Sequence, residues 1–438
     1  MRRLSSRPAH ARSRGAAVLA LAGALSLAAL GAPSSTAATP SSGTAGPDRA
    51  ERAGVADRAV VHVSRGGGVR FATFNASLNR NAAGDLARDL ASGEDPQIRN
   101  AAETLQRLRP DVVLVNEFDY APGTADAFRR NYLEVGQRGA RPLRLPYRYV
   151  APVNTGVASG LDLDNDGAVG GGNDAYGFGL FPGQYGMVVY SRYPIDVRGA
   201  RTFQHFLWKD MPGALLPDNP ATEAPADWYS PAELERVRLS SKSHWDLPVR
   251  IGRRTVHFLV SHPTPPSFDG PEDRNGRRNH DEIRFWADYV GGERRSRYIY
   301  DDRGRRGGLR SGERFVIAGD QNADPVDGDS VAAAITQLLD HPRITDPRPR
   351  SAGAAEAAAQ GGANASHRGD PSLDTADFSD VPGPGNLRVD YVLPSRRLPV
   401  LGAGVFWPRA ADPLARLTGV FPFPTSDHRA VWLDVRVR

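Results

Sequence analysis

Acidic, amide and imidazole side chains recur in this sequence at the ends of apolar, strand-like runs. The residues in question are Asn75, Glu117, His262, Asp320, Asn322, Asp390, Asp427 and His428. An apolar strand tipped by such a residue is how α/β scaffolds present a chemical site on a rigid platform. One such residue would carry little weight, because strand ends are commonly polar. The repeated occurrence predicts a single polar site built from several strand ends.

These residue types are suited to phosphoester hydrolysis. Magnesium prefers carboxylate and amide oxygens, which Glu117, Asn75 and Asp427 could supply. A water nucleophile needs a base whose pKa lies near the working pH, and histidine is the natural candidate. Asp390 could fix the tautomer of His428 and stabilise its imidazolium form. The sequence contains no cysteine nucleophile and no Gly-x-Ser-x-Gly motif that would compete with this interpretation.

A second acidic motif lies at Asp162, Asp164 and Asp166, directly before Gly167. Alternating carboxylates before a glycine are typical of the first half of a calcium-binding loop. The closing acid is missing, because the twelfth position of the loop is Asn173. Two interpretations stay open: a structural calcium site and a solvated acidic turn.

The elements that must position these residues follow from the pattern of apolar residues. Helices are expected at about 97–109 and 278–290, from apolar residues at helical spacing. Strands are expected at 69–75, 111–118, 185–195, 244–251, 255–262, 314–320, 388–395 and 428–437. Helices separate some of these strands and hairpins join others, so the expected class is α/β with mixed sheets.

The N-terminal region has the features of a secretory signal peptide. Five arginines precede the apolar run AAVLALAGALSLAALGA and the small-residue stretch PSSTAATP, which predicts a signal peptide over 1–38. Residues 39–67 are expected to be a mobile leader, and 68–438 a single domain. Insertions in that domain are expected at about 152–184, 206–240 and 347–385. The last of these has low complexity and is expected to be mobile.

Charge and cysteine content bound the class of protein. The chain has a formal net charge of +5, and residues 1–38 carry five arginines and no acidic residue. The mature chain is therefore neutral, since 5 − 5 = 0, and it lacks the basic excess of a nucleic-acid-binding protein. The mature protein is expected to be a secreted monomer without a transmembrane segment. Because the chain contains no cysteine, the stability of such a protein would depend on its core and on bound metal.

The motifs together resemble the endonuclease/exonuclease/phosphatase family. The matching pieces are the strand ending in Asn75, NEF around Glu117, SHP at 261–263, GDQN at 319–322, RVDYV at 388–392 and SDH at 426–428. They occur in the order of the family and span residues 69–438. The resemblance implies a four-layer sandwich of two mixed β-sheets flanked by helices.

The resemblance also implies roles for the candidate residues. Glu117, with Asn75 and Asp427, is similar to the metal ligands of the family, for Mg²⁺ or Mn²⁺. Asp320 resembles the residue that orients or activates water, and Asn322 the amide that steadies it. His428, paired with Asp390, resembles the imidazole at the scissile phosphate, as base or as phosphate ligand. His262 resembles the second histidine, but Gln184 stands where one branch has a supporting carboxylate.

These expectations describe a secreted, metal-dependent phosphoesterase that acts on a phosphorylated small molecule or a phosphodiester. An extracellular nuclease and a sphingomyelinase-like phosphodiesterase are the alternatives within the family. A non-catalytic binding protein that has kept the fold is the alternative of another class. The complete set of eight residues favours an enzyme, because a lapsed enzyme commonly loses a metal or histidine position.

Overall fold

A computed structural model of the chain describes residues 67–380 and 382–437. The expected signal peptide, and the expected leader up to residue 66, lie outside the described residues. Both therefore remain predictions. No helix within the described ranges is long and apolar enough to cross a bilayer.

Two large β-sheets form the centre of the described chain. The first sheet has the strand order β12-β13-β1-β2-β4-β3, and the second has the order β11-β8-β7-β6-β5. A short pair, β9 and β10, stands apart. The strands are β1 Gly68–Asn75, β2 Val112–Asn116, β3 Tyr147–Tyr149, β4 Met187–Ser191, β5 Arg201–Thr202, β6 Trp245–Ile251, β7 Arg254–Val260, β8 Arg314–Asp320, β9 Ala376–Asp377, β10 Asn386–Leu387, β11 Asp390–Pro394, β12 Val400–Val405 and β13 Val431–Arg436.

Helices cover the outer faces of the two sheets. The α-helices of the described residues are α1 Asp85–Ser92, α2 Pro96–Leu108, α3 Thr124–Phe128, α4 Pro231–Leu234, α5 Arg274–Val290, α6 Glu293–Ser296, α7 Thr336–Leu339 and α8 Ala352–Ala357. Shorter turns of 3₁₀ or π type are Arg129–Leu133, Trp208–Asp210, Ala358–Gln360, Gly362–Ser366, Pro371–Leu373 and Pro413–Leu417. Asp95 caps α2 by accepting a hydrogen bond from Ile98 N at 2.8 Å, which satisfies one of its free N–H groups.

Alternation along the strands explains the four layers. Successive side chains of a strand point to opposite faces of its sheet. On β1, Phe71 packs between the two sheets, whereas Ala72 packs towards α2. On β8, Val316 lies between the sheets, and Ile317 packs against α5. The expected four-layer α/β sandwich is therefore confirmed.

Strand direction explains why the candidate residues meet at one edge. β1 is parallel to β2, and β7 is parallel to β8, so the carboxyl ends of each pair lie together. β11 is antiparallel to β8, with Asp390 opposite Asp320. β13 is antiparallel to β1, with Val431 opposite Thr73, so the residues just before β13 reach the end of β1. We call this common margin of the two sheets the site edge.

The expected elements are mostly found, but several of their ends differ: α5 begins at Arg274 rather than at 278, and β4 ends at Ser191 rather than at 195. The last strand begins at Val431 rather than at residue 428, because residues 426–430 turn into the site and bond to residues 75 and 375. The segment 347–385, for which no helix was expected, contains one, and its expected mobility stays a prediction. Its run AGAAEA forms α8, in which Ala354 is fully buried. The insertion over 206–240 contains α4 and one 3₁₀ turn.

Candidate active site

The first sheet supplies Asn75 and Glu117 to the site edge. Asn75 ends β1, is fully buried and donates from Nδ2 to Asp320 Oδ2 at 3.1 Å. This bond joins the two sheets. Glu117 follows β2 in a left-handed conformation with φ of 55°, which is uncommon for a residue with a long side chain. Such strain is often retained at functional sites.

The second sheet supplies Asp320, Asn322 and His262. Asp320 Oδ1 accepts a hydrogen bond from Asn322 N at 2.9 Å, and its Oδ2 lies 3.4 Å from His262 Nε2. Burial raises the pKa of Asp320 to about 6, although the charge of His428 acts in the opposite direction. Asn322 Nδ2 donates to Pro263 O at 3.1 Å. The amide therefore holds the turn behind His262, and its expected role towards water stays a prediction.

Asp390 and His428 form a buried pair beside Asp320. His428 Nδ1 lies 2.9 Å from Asp390 Oδ2, and its Nε2 lies 3.6 Å from Asp320 Oδ2. Burial alone would lower the pKa of His428, but the charges of Asp390 and Asp320 outweigh it and raise that pKa well above its usual range. The arrangement favours a positively charged imidazole that faces the site.

Glu117 and Asp427 are the two carboxylates predicted to bind a divalent cation, and they interact electrostatically. Burial raises the pKa of Glu117, and the charge of Asp427 raises it further. Glu117 Oε2 accepts from Asn79 Nδ2 at 2.9 Å, and Asp427 Oδ1 lies 3.4 Å from Ser77 Oγ. Within the described residues, neither carboxylate has a basic side chain within 4.0 Å. A hard cation would neutralise this repulsion, and these oxygens are the ligands that it prefers.

One closely spaced group is explained without a metal. Ligand atoms of Asp320, Asp390 and His428 lie within 4.8 Å of one another, so the group could hold an ion. The ring nitrogen of His428 nearest to Asp390 is already in hydrogen-bond contact with that carboxylate. The roles expected for this group, and the expected ion at Glu117, Asn75 and Asp427, stay predictions.

His262 is buried and lacks a supporting carboxylate on its second nitrogen. Its Nδ1 is fully enclosed and has no hydrogen-bond partner among the described residues. Gln184 is bonded elsewhere, to Leu180 N at 2.7 Å and to Arg80 O at 2.8 Å. Burial lowers the pKa of His262 well below its usual range, and the charge of Lys242 adds to this effect. A neutral imidazole of this kind is a poor general acid.

Sequence reasoning missed the polar residues that hold these side chains in place. Ser426 Oγ donates to Asn75 O at 2.8 Å and accepts from His428 N at 3.0 Å. Thr375 Oγ1 accepts from Asp390 N at 2.9 Å. Ser426 lies within the SDH motif, and Asn79 lies four residues after Asn75. Thr375 gave no signal, because it reaches the site only through folding of the 347–385 insertion.

The acidic loop forms a second group on the insertion over 152–184. Carboxylate oxygens of Asp162, Asp164 and Asp166 lie within 4.8 Å of one another. Asp162 accepts from Gly167 N at 3.0 Å, and Asp164 accepts from Asn173 Nδ2 at 2.8 Å. These bonds suit an acidic turn as well as a calcium loop, so both interpretations remain.

Comparison with known proteins gives a family and distant structural likenesses. The model of the Endonuclease/Exonuclease/phosphatase family matches residues 72–428. None of the curated protein sequences compared with the chain matches it significantly.

Solved structures similar to the chain include three bacterial proteins. An endonuclease/exonuclease/phosphatase from Beutenbergia cavernae is 18% identical at a TM-score of 0.43, covering 84% of this chain and 72% of its own. Sphingomyelinase C from Streptomyces griseocarneus is 16% identical at a TM-score of 0.42, and the match covers 84% of this chain and 99% of its own. A mannosyl-6-phosphatase from Bacteroides thetaiotaomicron is 13% identical at a TM-score of 0.40, and the match covers 84% of this chain and 99% of its own. These likenesses are too distant to assign a substrate.

Proposed function

Because the chain belongs to the endonuclease/exonuclease/phosphatase family, we propose that it is an exported, divalent-metal-dependent phosphoesterase. It hydrolyses phosphomonoester or phosphodiester bonds by in-line attack of a water molecule. The observation that carries this proposal is the convergence on Asp320 Oδ2. Asn75 Nδ2, His262 Nε2 and His428 Nε2 lie 3.1, 3.4 and 3.6 Å from that oxygen.

The residues divide the chemistry between them. Asp320 orients the attacking water and accepts its proton. His428, held as imidazolium by Asp390, contacts the negative charge of the phosphoryl group. His262 stays neutral and positions Asp320 or the phosphate by hydrogen bonding. Glu117, Asn75 and Asp427 would hold the ion, which when bound would neutralise the phosphate and stabilise the leaving oxygen.

A release assay on the mature protein tests this proposal. The substrates are p-nitrophenyl phosphate, bis-p-nitrophenyl phosphate, phytate, plasmid DNA and sphingomyelin, each with Mg²⁺, with Mn²⁺ and with chelator. We expect turnover of at least one substrate that chelator abolishes and Glu117→Gln reduces by roughly 100-fold or more. Metal-independent turnover, or none on any substrate, would contradict the proposal. The second outcome would favour a binding protein.

Net charge and exposed aromatic side chains bear on the choice between nucleic-acid and lipid substrates. The neutral mature chain argues against tight nucleic-acid binding, which depends on phosphate neutralisation. The sequence contains no identifiable aromatic hairpin motif that would favour a lipid surface. Nevertheless, the three exposed phenylalanines of the described residues, Phe178, Phe268 and Phe421, are 55, 88 and 83% exposed. Phe268 and Phe421 lie on the loops that follow His262 and precede His428.

This exposure makes a phospholipid phosphodiesterase the second candidate function. Exposed aromatic side chains beside an active site can enter a lipid interface. Replacing Phe178, Phe268 and Phe421 together by Ser should then abolish turnover of sphingomyelin in vesicles and leave turnover of a soluble ester unchanged. An equal effect on both substrates would exclude the lipid candidate.

Export is tested separately from activity. Expression of the full chain in a secreting bacterial host should place the protein in the medium, with a new N-terminus near residue 39. Recovery of uncleaved protein in the cell would contradict the export part of the proposal alone.

A further inference from the structure

Lysine is almost absent from this chain. Of its 55 basic residues, only Lys209 and Lys242 are lysines, and the rest are arginines. Arginine therefore serves nearly every surface and ion-pair role. A lysine at a buried position is therefore a candidate for a role that suits a compact ammonium better than a guanidinium.

The two lysines differ in their surroundings. Lys209 has a side chain that is 28% exposed, and it pairs with Asp210 at 3.2 Å and Glu235 at 3.4 Å. Lys242 is 6% exposed. Within the described part of the chain, its ammonium group has no hydrogen bond and no carboxylate oxygen within 4.0 Å. Nζ is not among the fully enclosed polar atoms, so it still touches solvent.

The backbone around Lys242 is fixed directly behind His262. Ser241 Oγ donates to His262 O at 3.4 Å, and Lys242 O accepts from Asn154 N at 2.9 Å. Ser241 N donates to Glu282 Oε1 at 2.7 Å. The backbone that carries the Lys242 side chain is therefore held in place beside His262.

The ammonium group is electrostatically coupled to both halves of the site. Burial lowers the pKa of Lys242, and the charges of Glu282, Glu117 and Asp320 oppose that shift. Both oxygens of Glu282 are occupied by the backbone N–H groups of Ser241 and Thr264. Asp320 is likewise occupied by Asn322 and Asn75. Among the described residues, the N–H donors of Lys242 thus remain without an acceptor, while its charge acts on Glu117, Asp320 and His262.

We propose that Lys242 is a phosphate-binding residue of this site, whose ammonium group contacts a non-bridging oxygen of the phosphoryl group under attack. The inference rests on the proposed function, because it names the substrate group that the site binds. A buried cation with free donors is unfavourable without an anion, and a bound phosphoryl oxygen would satisfy it. An ammonium is a compact point charge, whereas a planar guanidinium needs more space and fixed acceptors.

Lysine-selective labelling tests the contact without measuring activity. Protein labelled with ¹³C at lysine Cε should give two side-chain signals, one for each lysine. Addition of inorganic phosphate, with Mg²⁺ present, should shift the Lys242 signal and leave the Lys209 signal unchanged. Sodium chloride at equal ionic strength serves as the control anion. An unchanged Lys242 signal at saturating phosphate would overturn the inference.

Kinetics of paired variants test the same contact during turnover. Lys242→Gln and Lys242→Arg should each lose roughly 100-fold or more in kcat/KM, as expected for removal of a preorganised donor. Lys209→Gln and Lys209→Arg should stay within about twofold of the unmodified protein, because a partly exposed ion pair contributes little. Inhibition by inorganic phosphate should weaken only in the Lys242 variants. Near-normal kcat/KM in both Lys242 variants would overturn the inference.

The two experiments separate failure of this inference from failure of the proposed function. An active protein with unaffected Lys242 variants retains the function and excludes Lys242. A protein inactive on every ester contradicts the function, and the phosphate titration still decides whether Lys242 binds phosphate. If the Lys242 variants do not fold, the labelled unmodified protein gives the decisive result.

Discussion

In the pair of Asp390 and His428, burial and charge act in opposite directions on the pKa of the histidine, and the charges outweigh burial. Asp390 is fully buried, and it holds His428 at 2.9 Å. Asp390→Asn keeps the shape of this contact but no longer stabilises the imidazolium form. We expect kcat to fall on the order of 100-fold or more, with the melting temperature changed little. Steady-state kinetics and a melting curve check this, and near-normal kcat would leave Asp390 a structural residue.

Asp246 and His257 provide a matched control for that variant. Their Oδ1 and Nδ1 atoms lie 2.7 Å apart, and Asp246 also accepts from Tyr289 Oη at 2.6 Å. His257 lies on β7 five residues before His262 and takes no part in the site. Asp246→Asn should therefore lower stability and leave kcat within about twofold, because only the fold depends on this pair.

At the residue scale, sequence reasoning found the strand ends and missed their supports. Asn75, Glu117 and Asp320 were predictable because each is a polar residue that ends an apolar strand. Asp390 was predicted from the RVDYV motif, as a polar residue within a strand. Lys242 was not predictable, since a lysine among serines is usually a solvated residue. Its backbone is joined to the 152–184 segment by the bond between Asn154 N and Lys242 O. No short-range pattern encodes that contact.

At the element scale, the 152–184 insertion packs against the Ser241–Lys242 segment without space between them. A Cβ added at Gly177 would lie 1.9 Å from Ser241 O. Gly177→Ala must therefore push the insertion away from this segment. We expect kcat/KM to fall by about 10-fold or more, and stability to fall by about 1–3 kcal/mol. Kinetics and denaturant unfolding measure the two effects.

Gly402 is the control for this substitution. A Cβ there would lie 3.5 Å from the nearest atom, on the side chain of Trp432, which is an ordinary contact. Gly402→Ala should leave kcat/KM unchanged. Equal activity of the Gly177 and Gly402 variants would show that the insertion does not position the site.

The acidic loop of the same insertion has a thermal test. Asp162, Asp164 and Asp166 repel one another, and a cation that binds only the native state would raise the melting temperature with its concentration. We expect millimolar calcium, after chelator, to raise the midpoint by several degrees. Replacement of all three by Asn should abolish that rise and leave the magnesium dependence of turnover intact. Melting curves of the unmodified protein and the triple variant are recorded with chelator and with calcium. Identical midpoints in all four curves would identify a solvated acidic turn.

Element boundaries show what the sequence alone does not determine. The run HRAVWLDV is continuous in pattern, so the start of β13 could not be placed. His428 leaves the strand because its ring bonds to Asp390 and its backbone bonds to Ser426. The alanine-rich run at 352–357 becomes a helix because Gly353 and Ala354 fit closely against Trp407 and its neighbours. Both outcomes depend on partners distant in sequence.

At the scale of the whole molecule, the chain contains no cysteine, so its core carries its stability. Some buried carboxylates oppose that stability. Asp374 is 8% exposed, and within the described residues its carboxylate has no hydrogen-bond donor or basic partner. Burial, together with the charges of Asp324, Asp327 and Asp370, raises the pKa of Asp374 to about 8. This carboxyl group is therefore protonated in the folded protein under conditions that ionise it in the unfolded chain.

The sign of the resulting pH dependence follows from proton uptake. Between about pH 4 and pH 8 the folded state holds a proton on Asp374 that the unfolded chain has lost, so its contribution to stability decreases as pH rises. The slope from one such group is at most about 1.4 kcal/mol per pH unit. Asp374→Asn removes this titration, so the variant should gain stability relative to the unmodified protein from pH 5 to pH 8. Denaturant unfolding at several pH values measures the difference, and parallel curves would show that Asp374 titrates alike in both states.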